Sequence, residues 1–107
     1  MKNFGELFKR YRLKAEFASL SSFADAFAEK GYFYELSIFC HWQRARRMPK
    51  KRVILVTLVE LFIERGAILS LNEANEFLES ADHGYLTERE QNRLFGINTS
   101  SNSQTIL

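Results

Sequence analysis

The chain has 107 residues, 46% of them apolar and 26% charged, a balance that suits one small domain, leaves no room for two independent cores and excludes most large enzyme scaffolds. A formal net charge of +2 does not by itself call for a polyanionic partner, but the charge is unevenly spread: residues 1–65 carry thirteen basic and seven acidic side chains, net +6, and residues 66–107 carry two basic and six acidic, net −4. Such an asymmetry points to a polyanion-facing surface at one end and a solvated or partner-facing one at the other.

One proline, five glycines and apolar residues spaced three and four apart predict an all-α fold, a small bundle of five to six short helices. In the first helix Phe4, Leu7, Phe8, Tyr11 and Ala15 make one stripe, Asn3 is the expected cap, and Lys9, Arg10, Arg12 and Lys14 fall mostly on the other side. This opening interleaves charges with apolar residues, unlike a signal peptide. Ser19, Ser21 and Ser22 are all candidate caps for a second helix that buries Phe23, Ala24, Phe27 and Ala28 and ends at Gly31. After the aromatic turn Tyr32-Phe33-Tyr34, a third helix is expected from about Glu35 to Arg44, with Leu36, Phe39 and part of Trp42 facing inward. Cys40 is the sole cysteine, so no intrachain disulfide forms and an oxidising compartment is not implied.

The stretch Val53 to Ile63 has the β-branched content of a strand, yet it runs without a breaker and carries Leu55, Leu58, Val59 and Phe62 on one stripe, extended by Ile54 and Leu61. It therefore reads as a central helix, and at eleven residues interrupted by Thr57 and Glu60 it falls short of the roughly 20 that span a bilayer. The expectation is a cytoplasmic protein with no membrane partner. Ser70-Leu71-Asn72-Glu73 and Thr87-Glu88-Arg89-Glu90 both fit the Ser/Thr-x-x-Glu capping box and start a fifth and a sixth helix. The fifth buries Leu71, Ala74, Leu78 and Ala81, Asp82-His83-Gly84 is the turn between them, and the sixth ends near Leu94-Phe95-Gly96. Residues 97–107 are rich in Asn, Ser, Thr and Gln and are expected to form a mobile tail.

The segment that bears on function is helix, turn, helix, followed by Arg44-Ala45-Arg46-Arg47-Met48-Pro49-Lys50-Lys51-Arg52, where six of nine residues are basic, a density that folding alone does not require. Two short helices meeting at a steep angle can set the second in the major groove of DNA while a basic loop beside it contacts phosphates. The chemistry needs exposed side chains at the front of the reading helix and cations whose binding releases counterions.

Through Phe23-Ala24-Asp25-Ala26, Ser37-Ile38-Phe39-Cys40-His41-Trp42-Gln43-Arg44 and Arg46-Arg47-Met48-Pro49, the chain resembles the lambda-repressor-like (Cro/Xre) helix-turn-helix family over roughly residues 4–63. The resemblance implies a five-helix, sequence-specific DNA binder, often dimeric and often a transcription regulator, with base contacts at the positions of Leu36, Ser37, Cys40 and His41 and with Phe39 as the buried member. It also implies phosphate contacts from Arg44, Arg46, Arg47, Lys50, Lys51 and Arg52. The chain departs from the family where the usual Glu after the tryptophan is Gln43, which turns an ion pair with a first-helix arginine into a neutral hydrogen bond. The usual glycine at the end of helix three is Ala45, which must enter a left-handed conformation or let the helix continue. The frequent Gln at the start of helix two is absent, and the turn before helix three is longer by about two residues, placing Tyr32, Phe33 and Tyr34 inside it.

On this reading residues 1–66 are a helix-turn-helix core and 67–96 are accessory helices. Their apolar faces either pack on the same domain or form a two-fold homodimer interface that would match a palindromic site. Ser37 and His41, one turn apart, are either a base-reading pair or a plain surface pair, Tyr32 and Tyr34 either pack or contact phosphate, and the basic run is either a DNA footprint or a solvated face. Adjacent Cys40 and His41 point about 100 degrees apart and have no second such pair, so no metal is expected. No acid–base, nucleophile or phosphate-loop arrangement is present, so neither catalysis nor a cofactor is expected. The leading function is double-stranded DNA binding for transcription regulation; a protein-interaction module on a degenerate form of the same fold is the alternative, and RNA binding is a third.

Overall fold

The computed structural model describes residues 2–96, so the expected tail, 97–107, lies outside the described residues. Among the described residues every regular element is a helix: α1 (Phe4–Lys14), α2 (Leu20–Glu29), α3 (Leu36–Gln43), α4 (Arg52–Glu64), α5 (Leu71–Ser80) and α6 (Glu88–Phe95). None of them is long and apolar enough to cross a membrane.

The helix starts follow from local hydrogen bonds. Asn3 and Glu6 form a complete capping box on α1, with Glu6 N–H donating to Asn3 Oδ1 at 2.9 Å and Asn3 N–H donating to Glu6 Oε1 at 3.1 Å. Of the three candidate serines Ser19 caps α2, accepting from Ser22 N–H at 3.1 Å. Thr87 and Glu90 form the second complete box, on α6. At α5 the box is shifted by one residue, because Ser70 accepts from Glu73 N–H while the Glu73 carboxylate reaches Leu69 N–H at 2.8 Å.

The ends of α1 to α5 share one turn. A left-handed residue (Glu16, Gly31, Ala45, Gly66 or Asp82) donates three residues back, and the next N–H donates five residues back. This Schellman geometry satisfies the last carbonyls of each helix. Three of the five left-handed residues have a Cβ, at a cost of about 1–2 kcal/mol each.

Packing is dominated by aromatic rings meeting edge to face. Phe23 of α2 lies edge-on to Phe8 of α1 and Phe39 of α3, both at 5.1 Å, and Phe62 of α4 touches Phe8, Tyr11, Phe23 and Phe77. Each such pair adds about 0.5–1.5 kcal/mol beyond the area it buries. The run Ile54 to Val59 is buried all round, as befits a helix surrounded by others, and Thr57 returns its hydroxyl to Val53 O at 2.7 Å.

Four expectations about faces are corrected. In α2 the buried alanine is Ala26, with Ala24 and Ala28 half-buried, because Phe23, Ala26 and Phe27 lie closest to the core. Leu36 is not inward but 48% exposed. In α5 Phe77 is fully buried beside Ala74 and Leu78 while Leu71 is half-buried, since an apolar face is wide enough to hold residues three and four apart together. Arg12 is buried despite its charge, its guanidinium donating to Phe17 O and Gln43 Oε1. Burial also lowers its pKa from the ordinary guanidinium value.

Of the two arrangements open to the accessory segment, α5 takes the first. Ala74, Phe77, Leu78 and Ala81 belong to the same hydrophobic cluster as α1 to α4, with Phe77 at 5.2 Å from Phe4 and 5.9 Å from Tyr11. Helix α6 buries no residue fully and is held by ion pairs, Arg52 with Glu90 at 2.7 Å and Arg93 with Glu60 at 3.6 Å, beside half-buried Leu94 and Phe95.

Candidate functional site

Helix α3 is held in place at its carboxyl end by α1. Gly5 lies directly against the backbone there: a Cβ on it would stand 2.6 Å from Gln43 O and 2.8 Å from both Trp42 O and Ala45 N. Two helix turns along the same contact, Arg12 Nε donates to Gln43 Oε1 at 3.1 Å, the hydrogen bond to a neutral side chain expected from glutamine at this position. Ala45 takes the left-handed conformation, φ 60°, and Arg46 N–H then bonds to His41 O at 2.9 Å, so α3 stops and the chain turns into the basic segment.

The inner side of α3 is Phe39 and Trp42. Trp42 meets Phe4, Phe8, Phe27 and Phe39 edge-on, so it is a packing anchor. At 100 degrees per residue the opposite side carries Ser37 and Arg44, flanked by Leu36, Cys40 and His41. Ser37, Leu36 and Arg44 are exposed, and Cys40 and His41 are half-buried. The five positions with implied base or first phosphate contacts thus share one outward strip of a short, well-anchored helix. In the connection before it, Tyr32 stacks on Phe27 at 5.2 Å and Tyr34 tilts against Phe27 and meets Phe39 and Trp42 edge-on, which gives both rings packing partners.

The cations divide by partner. Lys30 pairs with Glu64 at 2.7 Å and Glu60 at 3.7 Å, Arg93 pairs with Glu60, and Lys14 and Arg65 lie over the rings of Tyr11 and Phe17. Arg52, expected among the phosphate contacts, is engaged within the chain: its guanidinium grips both oxygens of Glu90, at 2.7 and 3.3 Å, and donates to Gly84 O and Tyr85 O. Arg44, Arg46, Arg47, Lys50 and Lys51 are exposed, and their side chains have no ion-pair or hydrogen-bond partner among the described residues. They follow directly from the outward strip of α3. Glu35 makes no side-chain cap on α3, so the leading N–H groups of that helix end add no competing internal anion contact.

Compared with known protein families, with curated proteins and with solved structures, the chain matches none.

Two features of this surface have no signature in the sequence. Phe33, in the connection before α3, is 81% exposed although aromatic, while its neighbours Tyr32 and Tyr34 each meet the ring of Phe27. The second is a groove of about 870 Å³ between the end of α3, the basic connection and the end of α5. Its far wall is Ala81, Asp82 and His83, some thirty-odd residues along the chain from its near wall, and His83 Nε2 sits 3.2 Å from Lys50 O across the gap.

Proposed function

We propose that this chain is a sequence-specific double-stranded DNA-binding transcription regulator of the lambda-repressor-like helix-turn-helix kind. Helix α3 enters the major groove, Ser37 and His41 meet base edges with Leu36 and Cys40 beside them, and Arg44, Arg46, Arg47, Lys50 and Lys51 contact phosphates. The observation that carries this reading is the division of α3 and its sequel: Phe39 and Trp42 lock one side in the core, the other side turns outward with Leu36, Ser37 and Arg44 exposed and Cys40 and His41 half-buried, and five cations without a partner among the described residues continue it. Lys2, Lys9, Arg10 and Arg89 are likewise exposed without an ion-pair partner among the described residues, so what sets these five apart is that they are gathered in the eight residues that continue the outward strip of α3. Gln43 and Ala45, the departures that favour a degenerate interaction module, keep the bond to Arg12 and the left-handed exit, so neither weakens the DNA reading.

The test is selection from a randomised duplex pool at near-physiological salt, with sequencing of the retained fraction. Enrichment of one site is expected. Retention without enrichment would mean a non-specific binder, and no retention would favour the protein-interaction module. For the selected site, replacing Arg46 and Arg47 by Ala should weaken binding to all duplexes and flatten the slope of log affinity against log salt by about 1 per contact removed. Ser37→Ala and His41→Ala should instead change the preferred bases, by about 1–3 kcal/mol at the position read. An unchanged slope in the arginine variants would remove them from the phosphate set.

A further inference from the structure

The groove between α3 and the end of α5 combines two kinds of lining. Its floor is apolar, from Ile38, Trp42, Met48 and Pro49, and its rim on the side of the basic connection holds Arg46, Arg47 and Lys50, none with a side-chain partner among the described residues. The opposing wall contributes one carboxylate, Asp82, and the His83 ring. Three cations against one anion over an apolar floor select a ligand with a negative head and a greasy body. A volume of about 870 Å³ suits a small molecule, since such clefts run to roughly 300–1,000 Å³.

We propose that this groove binds a small organic carboxylate with an apolar body, the body lying on Trp42, Ile38, Met48 and Pro49 and the carboxylate on Arg46 and Arg47, and that its occupancy opposes duplex binding. The second half rests on the DNA reading above: the carboxylate and the phosphates draw on the same two arginines, so each ligand lowers the affinity for the other by an equal factor. Bidentate arginine–carboxylate pairing is what makes a carboxylate, rather than any polar head, the preferred group.

Trp42 is the sole tryptophan and, though only 4% exposed, borders the groove, so its fluorescence responds to a ligand seated there. The full chain, without DNA, is titrated with octanoate, with the neutral octanamide, and with acetate, which has the head without the body. A saturable change with octanoate is expected, at least tenfold weaker with either comparison compound. Arg46→Gln with Arg47→Gln should weaken octanoate about tenfold and leave octanamide unaltered, whereas Asp82→Asn, which keeps a residue tolerant of the left-handed turn, should tighten octanoate. Equal responses to octanoate and octanamide, or none to either, would overturn the site. Octanoate is then added to the chain bound to its selected duplex, and release is expected. Binding of octanoate with unchanged duplex affinity would overturn the antagonism alone. Failure of the untreated chain to retain any duplex would overturn the DNA reading and the antagonism together, while the fluorescence result would still decide the site.

Discussion

At Gly5 the missing side chain lets α1 rest on the backbone of α3, and no rotamer change can accommodate a methyl there because the three nearest atoms are all main chain. Gly5→Ala is therefore expected to destabilise the fold by about 1–3 kcal/mol, despite alanine's better helix propensity, by forcing the two helices apart. A urea midpoint equal to the parent's would show that α1 can lift from α3 at no cost. Ala45 is the opposite case, a side chain where a hydrogen would suffice. Its Cβ sits on a left-handed residue, and Ala45→Gly should stabilise by about 0.5–1 kcal/mol, the strain relieved less the extra freedom of glycine in the unfolded chain. Loss of stability in that variant would mean that the Ala45 methyl makes packing contacts that outweigh the strain. Both effects were legible in part. At residue 45 the sequence leaves open a left-handed exit or a continued helix, and the structure takes the first; nothing along the chain distinguishes Gly5 from a glycine tolerated in a helix, because its reason lies forty residues away.

Among the elements, α6 differs from the others in how it is held. It buries no side chain fully, and its polar attachment centres on Arg52 and Glu90. The hydrogen bond from the Arg52 guanidinium holds the Glu90 carboxyl below the ordinary 4.5, against the opposing effect of partial burial and with help from the Thr87 backbone. A carboxyl depressed on folding contributes stability at pH values above its unfolded pKa and loses it as pH falls through the lower folded value. On acidification below 4.5, amide protection in α6 should therefore fall before that of α4 and α5, and Glu90→Gln should abolish this early loss. Loss of protection in all helices together, or the same early loss in the Gln variant, would mean that the pair does not govern α6. The capping box Thr87–Glu90 announced the start of this helix, yet it hid the second duty of the same carboxylate, because Arg52 was assigned to the basic run by adjacency. Charge density along a chain cannot separate a cation that faces solvent from one turned onto a distant carboxylate.

For the molecule as a whole, α5 is part of the core rather than an appendage. Phe77 stands within 6 Å of Phe4, Tyr11 and Phe62, which come from α1 and α4, and so ties α5 to both of those helices. Phe77→Ala should cost about 3–5 kcal/mol, read as a shift of the urea midpoint. A chain ending at Gly66 lacks that ring together with Ile68, Ala74 and Leu78, and it is expected to lose cooperative unfolding. A sharp transition in the shortened chain would restore residues 1–66 as a self-sufficient unit. The same packing bears on assembly, since the apolar side of α5 is occupied within one chain and is not available to a second copy.

What the sequence by itself determined was local: helical periodicity, the capping residues Asn3, Ser70 and Thr87, a serine cap on α2, the stops at Gly31 and Gly96, the central helix α4, and the concentration of cations after α3. These depend on interactions within one or two helical turns, which a linear pattern records. Only the tertiary structure decided that Arg12 is buried against Gln43, that Leu36 faces outward, that Arg52 belongs to Glu90, that Phe77 completes the core, and that Asp82 and His83 wall a groove with the basic connection. Each of these joins residues far apart along the chain, and their meeting is set by how the helices pack on one another, not by the spacing of residues within any one of them.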